Sequence, residues 1–225
     1  AWPEEDRGNR AVSEIYEPGS TSKVMTMAAA LDAGAVTPNT KIEVPPVLYR
    51  GGDDFNDHTP HGTLHLTATG VLAQSSNIGT ILIAEKLGNQ ALYSYLRKFG
   101  MGSTSGLDIP GESAGLLPHV DDWGPTNAAT IPFGQGLSLN AVQSTSVFAT
   151  IANNGVRVEP TVVAGTTDPD GSFTPAPAPD RHRVVSAATA STLREMMETV
   201  VSDEGTAPMA QIPGYRVAGK TGTAE

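Results

Sequence analysis

The 225 residues are 39% hydrophobic and 17% charged, a composition that builds a domain-sized core and excludes a disordered or fibrous chain. No run of Lys or Arg offsets the formal net charge of -10, so phosphate backbones and acidic lipid headgroups are repelled and nucleic acid is not an expected partner. With no cysteine in the chain, disulfides, thiolate catalysis and Cys-based metal sites are excluded as well.

The residues through Asn9 are polar, carry Pro3 and read as loop. Glu17-Pro18-Gly19 leads into a run from Ser20 to Ala33 in which Val24, Met27, Ala28 and Leu31 recur at three- and four-residue spacing, with Gly34 as a stop. That pattern predicts a buried helix starting at Ser20. From Thr37 to Leu64 the chain is rich in Gly, Pro, Asp and Asn, with a short apolar piece at Val44 to Tyr49, and is expected to be a strand-poor connection. Helices are expected at about Thr67 to Gln74 and Asn77 to Leu87, either side of Ser75-Ser76, and from Gln90 to Phe99, the last two ended by Gly88 and Gly100.

Met101 to Gly136 has Gly and Pro throughout and is expected to be irregular with short helical pieces. Asn140 to Ala152 has helical spacing and is followed by Gly155, whereas Val156 to Val163 alternates like a strand limited by Pro160. The proline-rich Thr166 to Asp180 is a surface excursion, Ser186 is an N-cap for a helix from Ala187 to Ser202, and Tyr215 to Thr221 reads as a closing strand. Helices in the middle and strands towards the end predict an α+β fold, an antiparallel sheet covered by helices with a mostly helical subdomain.

Three short motifs carry chemistry. Ser20-Thr21-Ser22-Lys23 sets a serine and a lysine on one face at the first turn of a helix, whose N-terminal partial charge favours an anionic oxygen. Such a match arises roughly once by chance in a chain of this size, and a plain helix cap accounts for it equally well. Ser75-Ser76-Asn77 interrupts an apolar helical stretch with side chains that disfavour helix interiors, as an ordinary turn also does. Lys220-Thr221-Gly222-Thr223 follows the strand-like Tyr215 to Ala218, and Gly222 removes a side chain where a ligand or backbone comes close. Ser138-Leu139-Asn140 repeats the middle pattern and is read as a cap for the helix after it. The order of the three, on helix start, inter-helix turn and strand, supplies a nucleophile, proton-transfer groups and a cation for acyl transfer.

With these residues the chain resembles the penicillin-binding proteins and serine β-lactamases. Glu17 to Thr21, Leu66-Thr67, Gly134-Gln135-Gly136-Leu137, Ile151 to Gly155 and Lys220 to Glu225 look most like the transpeptidase domain of the class B, division-type penicillin-binding proteins, and low Lys against Arg resembles actinobacterial members. The resemblance implies a peptidoglycan D,D-transpeptidase. Ser20 would attack the D-Ala-D-Ala stem peptide or a β-lactam ring, Lys23 would be the base, and Ser75 would relay a proton to the leaving amine. Asn77 would orient Lys23 and the substrate amide, and Lys220 would supply positive potential. Thr221 and Thr223 would hold the substrate carboxylate beside Gly222, with the N–H groups of Ser20 and Thr223 as oxyanion hole. A serine β-lactamase and a β-lactam sensor are the alternatives, although Ser76 stands where the class A β-lactamases carry Asp.

The resemblance implies no cofactor or metal, a glycan synthase and divisome proteins as partners beside stem peptides and β-lactams, and an extracytoplasmic position through an N-terminal membrane anchor. It also implies a partial domain over residues 1–225, lacking most N-terminal strands and the strands and helix that follow Lys-Thr-Gly in the family. At most a strand fragment is expected near Ala11 to Tyr16, and the segment alone is expected to acylate slowly. Asp57, His58, His61 and His65 have a spacing that tempts a metal assignment, but are read as a loop, and Asp53, Asp54 and Asp57 as a solvated face. Trp123 is read as packing rather than substrate contact.

Overall fold

The computed structural model describes residues 8–223, so Pro3 and the Ala224-Glu225 end of the last motif lie outside the described residues. A helical turn, α1 (Arg10–Ser13), is capped by Asn9, and Tyr16 then forms a single antiparallel bridge with Leu139. The strand fragment expected here is therefore a capped turn and one bridge. The segment that carries Ser20 begins as a 3-10 turn over Gly19–Ser22 and continues as α2 (Lys23–Asp32), with Gly34 at φ +70° closing it. Every residue from Lys23 to Ala30 is buried, so α2 is the central post of the core and is apolar on all sides except where Lys23 and Thr26 sit.

The connection expected to be strand-poor contains three strands, β1 (Lys41–Val44), β2 (Leu48–Arg50) and β3 (Asp53–Phe55), and a fourth, β4 (Leu64–Thr67), begins at its last residue. β1 pairs with β4 in the register Ile42↔Leu66, and β2 with β3 across Gly51-Gly52, both at positive φ. A two-residue hairpin loop of that conformation is what a Gly-Gly pair favours. After β4, the helices α3 (Ala68–Ala73), α4 (Asn77–Leu87) and α5 (Asn89–Lys98) fall at the expected places. α5 turns Leu92 and Leu96, four residues apart, into the core, with Tyr93 and Tyr95 half-buried beside them.

The irregular stretch contains a 3-10 turn at Val120–Asp122, α6 (Pro125–Thr130) and a further 3-10 turn at Ile131–Phe133. Trp123 donates through Nε1 to Pro118 O at 3.1 Å and meets Tyr93 edge-on, a packing role as expected. Asn140 caps α7 (Ala141–Ala152) in a reciprocal box with Gln143, both bonds 2.8 Å, which settles the second Ser-x-Asn match as a cap. β5 (Val156–Val158) stops short of Pro160 and pairs with β8 (Arg181–Arg183), while β6 (Gly165–Thr167) and β7 (Phe173–Pro175) form the exposed hairpin of the proline-rich excursion.

Ser186 caps α8 (Ala187–Val201), which sends Ala190, Leu193, Met197 and Val200 against α2, α3 and α7. Among the described residues the strand content thus takes the form of four two-stranded antiparallel ribbons around a helical core, an α+β arrangement. Tyr215 to Thr221, expected as a strand, has no ladder among the described residues. Of the backbone N–H groups from Arg216 to Thr221, only that of Gly219 meets a backbone acceptor among them, Met197 O at 3.3 Å.

Candidate active site

A cleft of about 1070 Å³ opens where the turn before α2, the turn between α3 and α4, and the Lys220–Thr223 segment converge, and Ser20, Ser75, Asn77, Thr221, Gly222 and Thr223 all line it. Ser20 sits in the 3-10 turn, half-buried, and its hydroxyl makes no hydrogen bond to another described residue. The turn is shaped by close backbone approaches. Gly19 has φ +51°, donates to Gly134 O at 3.1 Å, and a Cβ there would collide with Thr223 O. Gly134 has no room for a Cβ either, because Gly19 O occupies it. Glu17 accepts from Gly136 N at 2.8 Å, so the Gly134-Gln135-Gly136 segment braces the turn that carries Ser20.

Lys23 is only 1% exposed. Its ammonium donates to Ser75 O at 2.5 Å, to Asn77 Oδ1 at 2.7 Å and to Ser75 Oγ at 3.2 Å. Burial, then the facing Lys220 ammonium, lowers its pKa to about 7, against a weaker upward pull from Asp57. Lys220 donates to the same Ser75 Oγ at 2.7 Å and to Thr221 O and Oγ1, and burial lowers it to about 8. Ser75 is thus the meeting point of two cationic groups supplied by residues far apart in sequence.

Ser75 reaches that point at a conformational cost. It lies at φ +57°, the left-handed region, which disfavours a side-chain-bearing residue by roughly 1–2 kcal/mol. The turn is held by Ser75 N to Leu72 O (3.2 Å) and Ser76 N to Val71 O (3.0 Å), which close α3, and by Ser76 Oγ accepting from Gly79 N (2.8 Å), which opens α4. On the opposite wall, Thr221 Oγ1 lies 2.8 Å from Thr206 Oγ1, and Gly222 passes so close to Thr21 that a Cβ would clash with its methyl. All eight residues expected at the site are therefore brought to one cleft or its immediate wall.

Three further groups were not legible in the motifs. Thr206 partners Thr221, Asn56 O accepts from Asn77 Nδ2 at 3.3 Å, and Asp57 accepts from Ser76 Oγ at 2.6 Å and Ile78 N at 3.0 Å. Asp57 is a correction to the expected solvated face, since its side chain is only 9% exposed, while Asp53 and Asp54 are exposed as expected. His61 lies 3.2 Å from Asp57, whereas His65 faces solvent on β4. Among the described residues no group of three His, Asp or Glu side chains is arranged to hold a metal ion.

A family model described as the penicillin binding protein transpeptidase domain matches residues 3–225. The chain belongs to that family. It is 45% identical over 224 residues to the penicillin-binding protein PbpB of Mycobacterium tuberculosis, covering 97% of this chain and 33% of that protein. Against the peptidoglycan D,D-transpeptidase FtsI of Escherichia coli K12 it is 35% identical, covering 99% and 36%. Among solved structures, penicillin binding protein 3 of M. tuberculosis complexed with aztreonam superposes with a TM-score of 0.92 at 44% identity, covering 96% of this chain and 49% of that one. A peptidoglycan synthetase from Bifidobacterium adolescentis gives 0.87 at 34% identity, covering 96% and 41%. The chain spans about a third of the length of the curated relatives it matches.

Proposed function

We propose that the chain is the greater part of the transpeptidase domain of a longer penicillin-binding protein, and that this domain cross-links peptidoglycan through a Ser20 acyl-enzyme. The observation that carries this reading is the convergence of Lys23 and Lys220 on Ser75 Oγ beside Ser20, with Lys23 lowered to about 7. A lysine ordinarily near 10.5 is almost wholly protonated at neutral pH, whereas one near 7 spends about half its time as the neutral amine that a base must be.

In the acylation step Ser20 Oγ attacks the carbonyl carbon of the penultimate D-Ala and its proton passes to neutral Lys23. The oxygen–carbon bond forms as the carbonyl becomes an oxyanion, held by the N–H groups of Ser20 and Thr223; removing one such donor costs roughly 3 kcal/mol in other acyl-transfer enzymes. Collapse breaks the carbon–nitrogen bond, and the departing D-Ala amine takes a proton delivered through Ser75. Lys220, Thr221 and Thr223 hold the terminal carboxylate, and Asn77 fixes both Lys23 and the substrate amide. An amine from a second stem peptide then attacks the ester, reversing the proton path. A β-lactam enters the first half of the cycle and stays on Ser20 because no leaving fragment vacates the site.

Of the four carboxylates that line the cleft, Glu17 is engaged by Gly136 N and Asp57 by Ser76 and Ile78, which leaves Asp54 and Glu204 as the groups that a water-activating hydrolase would have to use. The parent protein is read as working at the extracytoplasmic face of the membrane with a glycan synthase and divisome proteins. No helix among the described residues is long and apolar enough to cross a membrane. Intact-mass spectrometry after incubating the parent protein with a β-lactam tests the reading. A persistent one-to-one adduct on Ser20, absent in Ser20→Ala, is expected together with cross-linking of a stem-peptide donor and acceptor. Rapid loss of the adduct marks a β-lactamase, and an adduct without cross-linking marks a sensor.

A further inference from the structure

The Ser75–Asn77 turn is gripped from outside the three motifs, by the loop between β3 and β4. Asp57 Oδ1 accepts from Ile78 N at 3.0 Å, and Oδ2 accepts from Ser76 Oγ at 2.6 Å. On its far side Oδ2 meets His61 Nε2 at 3.2 Å, while His61 Nδ1 meets Gly62 O at 2.5 Å, so both ring nitrogens face acceptors and the ring is fixed in orientation. The residue before, Asn56, accepts through its carbonyl from Asn77 Nδ2, on the same amide whose Oδ1 holds Lys23. One short loop therefore restrains the three residues that follow the left-handed Ser75, with no hydrogen bond to Ser75 itself.

We infer that Asp57, clamped by His61, is a positioning residue for acyl transfer, locking the Ser75–Asn77 turn so that the Ser75 hydroxyl stands between Lys23 and Lys220. This inference rests on the proposed acyl-transfer reading for its kinetic consequence and on geometry alone for its structural one. A helix N-terminus needs no buried carboxylate, because Ser76 already caps α4 by accepting from Gly79 N. What Asp57 adds is a fixed anchor on the hydroxyl of the residue next to Ser75, which turns a flexible cap into a rigid one. It also places the nearest negative charge behind a site whose facing groups are the Lys23 and Lys220 ammoniums, with His61 the group that faces Asp57 in turn. That charge opposes the lowering of Lys23 by burial and by Lys220.

The test uses the parent protein with Asp57→Asn, Ser76→Ala, the double variant and His61→Gln. Two readouts are taken: the second-order acylation rate by a fluorescent penicillin across pH, and the titration of the Lys23 side chain by NMR. Asp57→Asn is expected to slow acylation about ten- to hundredfold, the scale on which small misplacement of reacting groups acts. It should also move both the acid limb of the rate profile and the Lys23 titration to lower pH, a displacement that a merely structural cap does not produce. The double variant should lose clearly less than the product of the two single losses, because the Asp57–Ser76 linkage is common to both. His61→Gln, which leaves Asp57 in place, should give a smaller loss in the same direction and serves if Asp57→Asn does not fold. Wild-type rates and an unmoved titration in Asp57→Asn, or losses that multiply in the double variant, overturn the inference. Should the wild type fail to acylate, the acyl-transfer reading falls, and the Lys23 titration alone decides whether Asp57 acts on the site.

Discussion

The two walls of the cleft are built in different ways. On one, Lys23, Ser75 and Asn77 stand at the ends of helices whose other faces are the core, and each polar atom is held by partners that are themselves held. On the other, Lys220 to Thr223 is a single extended strip whose backbone has almost no partners among the described residues and whose attachment is through side chains and close glycine contacts. The contrast separates two jobs. On the proposed reading, groups that move protons need fixed geometry and a low-dielectric setting, and Lys23, Ser75 and Asn77 stand where the core enforces both. Groups that receive a carboxylate tolerate a looser mounting, provided that something registers the strip against the nucleophile.

The sharpest way to break this comparison is at Lys23. Lys23→Met is expected to lower acylation at least about 10³-fold, comparable to the loss of a base in other acyl-transfer enzymes, as measured by stopped flow with a fluorescent penicillin. In the wild type the rate should rise with pH through about 7 as Lys23 becomes neutral and fall above about 8 as Lys220 loses its charge, giving a bell. Next in size, Gly19→Ala forces a side chain into the left-handed region and against Thr223 O, so the strip is pushed off the nucleophile turn. Acylation should fall about ten- to hundredfold while helical circular dichroism is retained.

If the strip is as loosely mounted as its hydrogen bonds imply, amides from Val217 and Ala218 should exchange with deuterium about 100-fold faster than those of Ile81 and Ile83 in α4. Equal protection would mean the two walls are equally rigid. Thr206→Val removes the hydroxyl partner of Thr221 and is expected to weaken capture of a carboxylate-bearing β-lactam about fivefold, with Thr206→Ser restoring it. The smallest effect expected is on stability. Lys23 is lowered in the folded state, so the unfolded chain binds more protons between about 7 and 10.5 and wild-type stability rises with pH across that window. Lys23→Met lacks this dependence, so its melting temperature relative to wild type should be more favourable on the acid side of the window than on the alkaline side.

The braced wall was the more legible one in the sequence. α7 and α8 announce themselves through their caps, Asn140 and Ser186, and α2 and α4 through apolar spacing, all local properties of the chain. β1 and β4 pair across a long excursion, so neither shows a hairpin signal, and the Gly51-Gly52 turn of β2 and β3 is hidden in a segment whose Gly, Pro, Asp and Asn read as a strand-poor connection. The strip from Tyr215 to Thr221 has strand-like residues but no ladder among the described residues, and side-chain alternation alone says nothing about a partner. Asp57 and Thr206 were illegible for the same reason: each acts on a residue distant in sequence, and an Asp among Gly, Pro and Asn looks like any solvated loop.

Ser75 Oγ has one hydrogen and two lone pairs, and Lys23 and Lys220 approach it at 3.2 and 2.7 Å. When both ammoniums donate, the lone pairs are filled and the hydroxyl hydrogen is left to point at the open cleft, where no described residue accepts it. The direction of proton delivery is then set before any substrate arrives. A ligand presenting an acceptor at that spot is met by a hydrogen already aimed at it, and one presenting a donor is refused until a lysine lets go. Two amines crowding a single oxygen thus work as a valve, whose state depends on how many protons the pair holds.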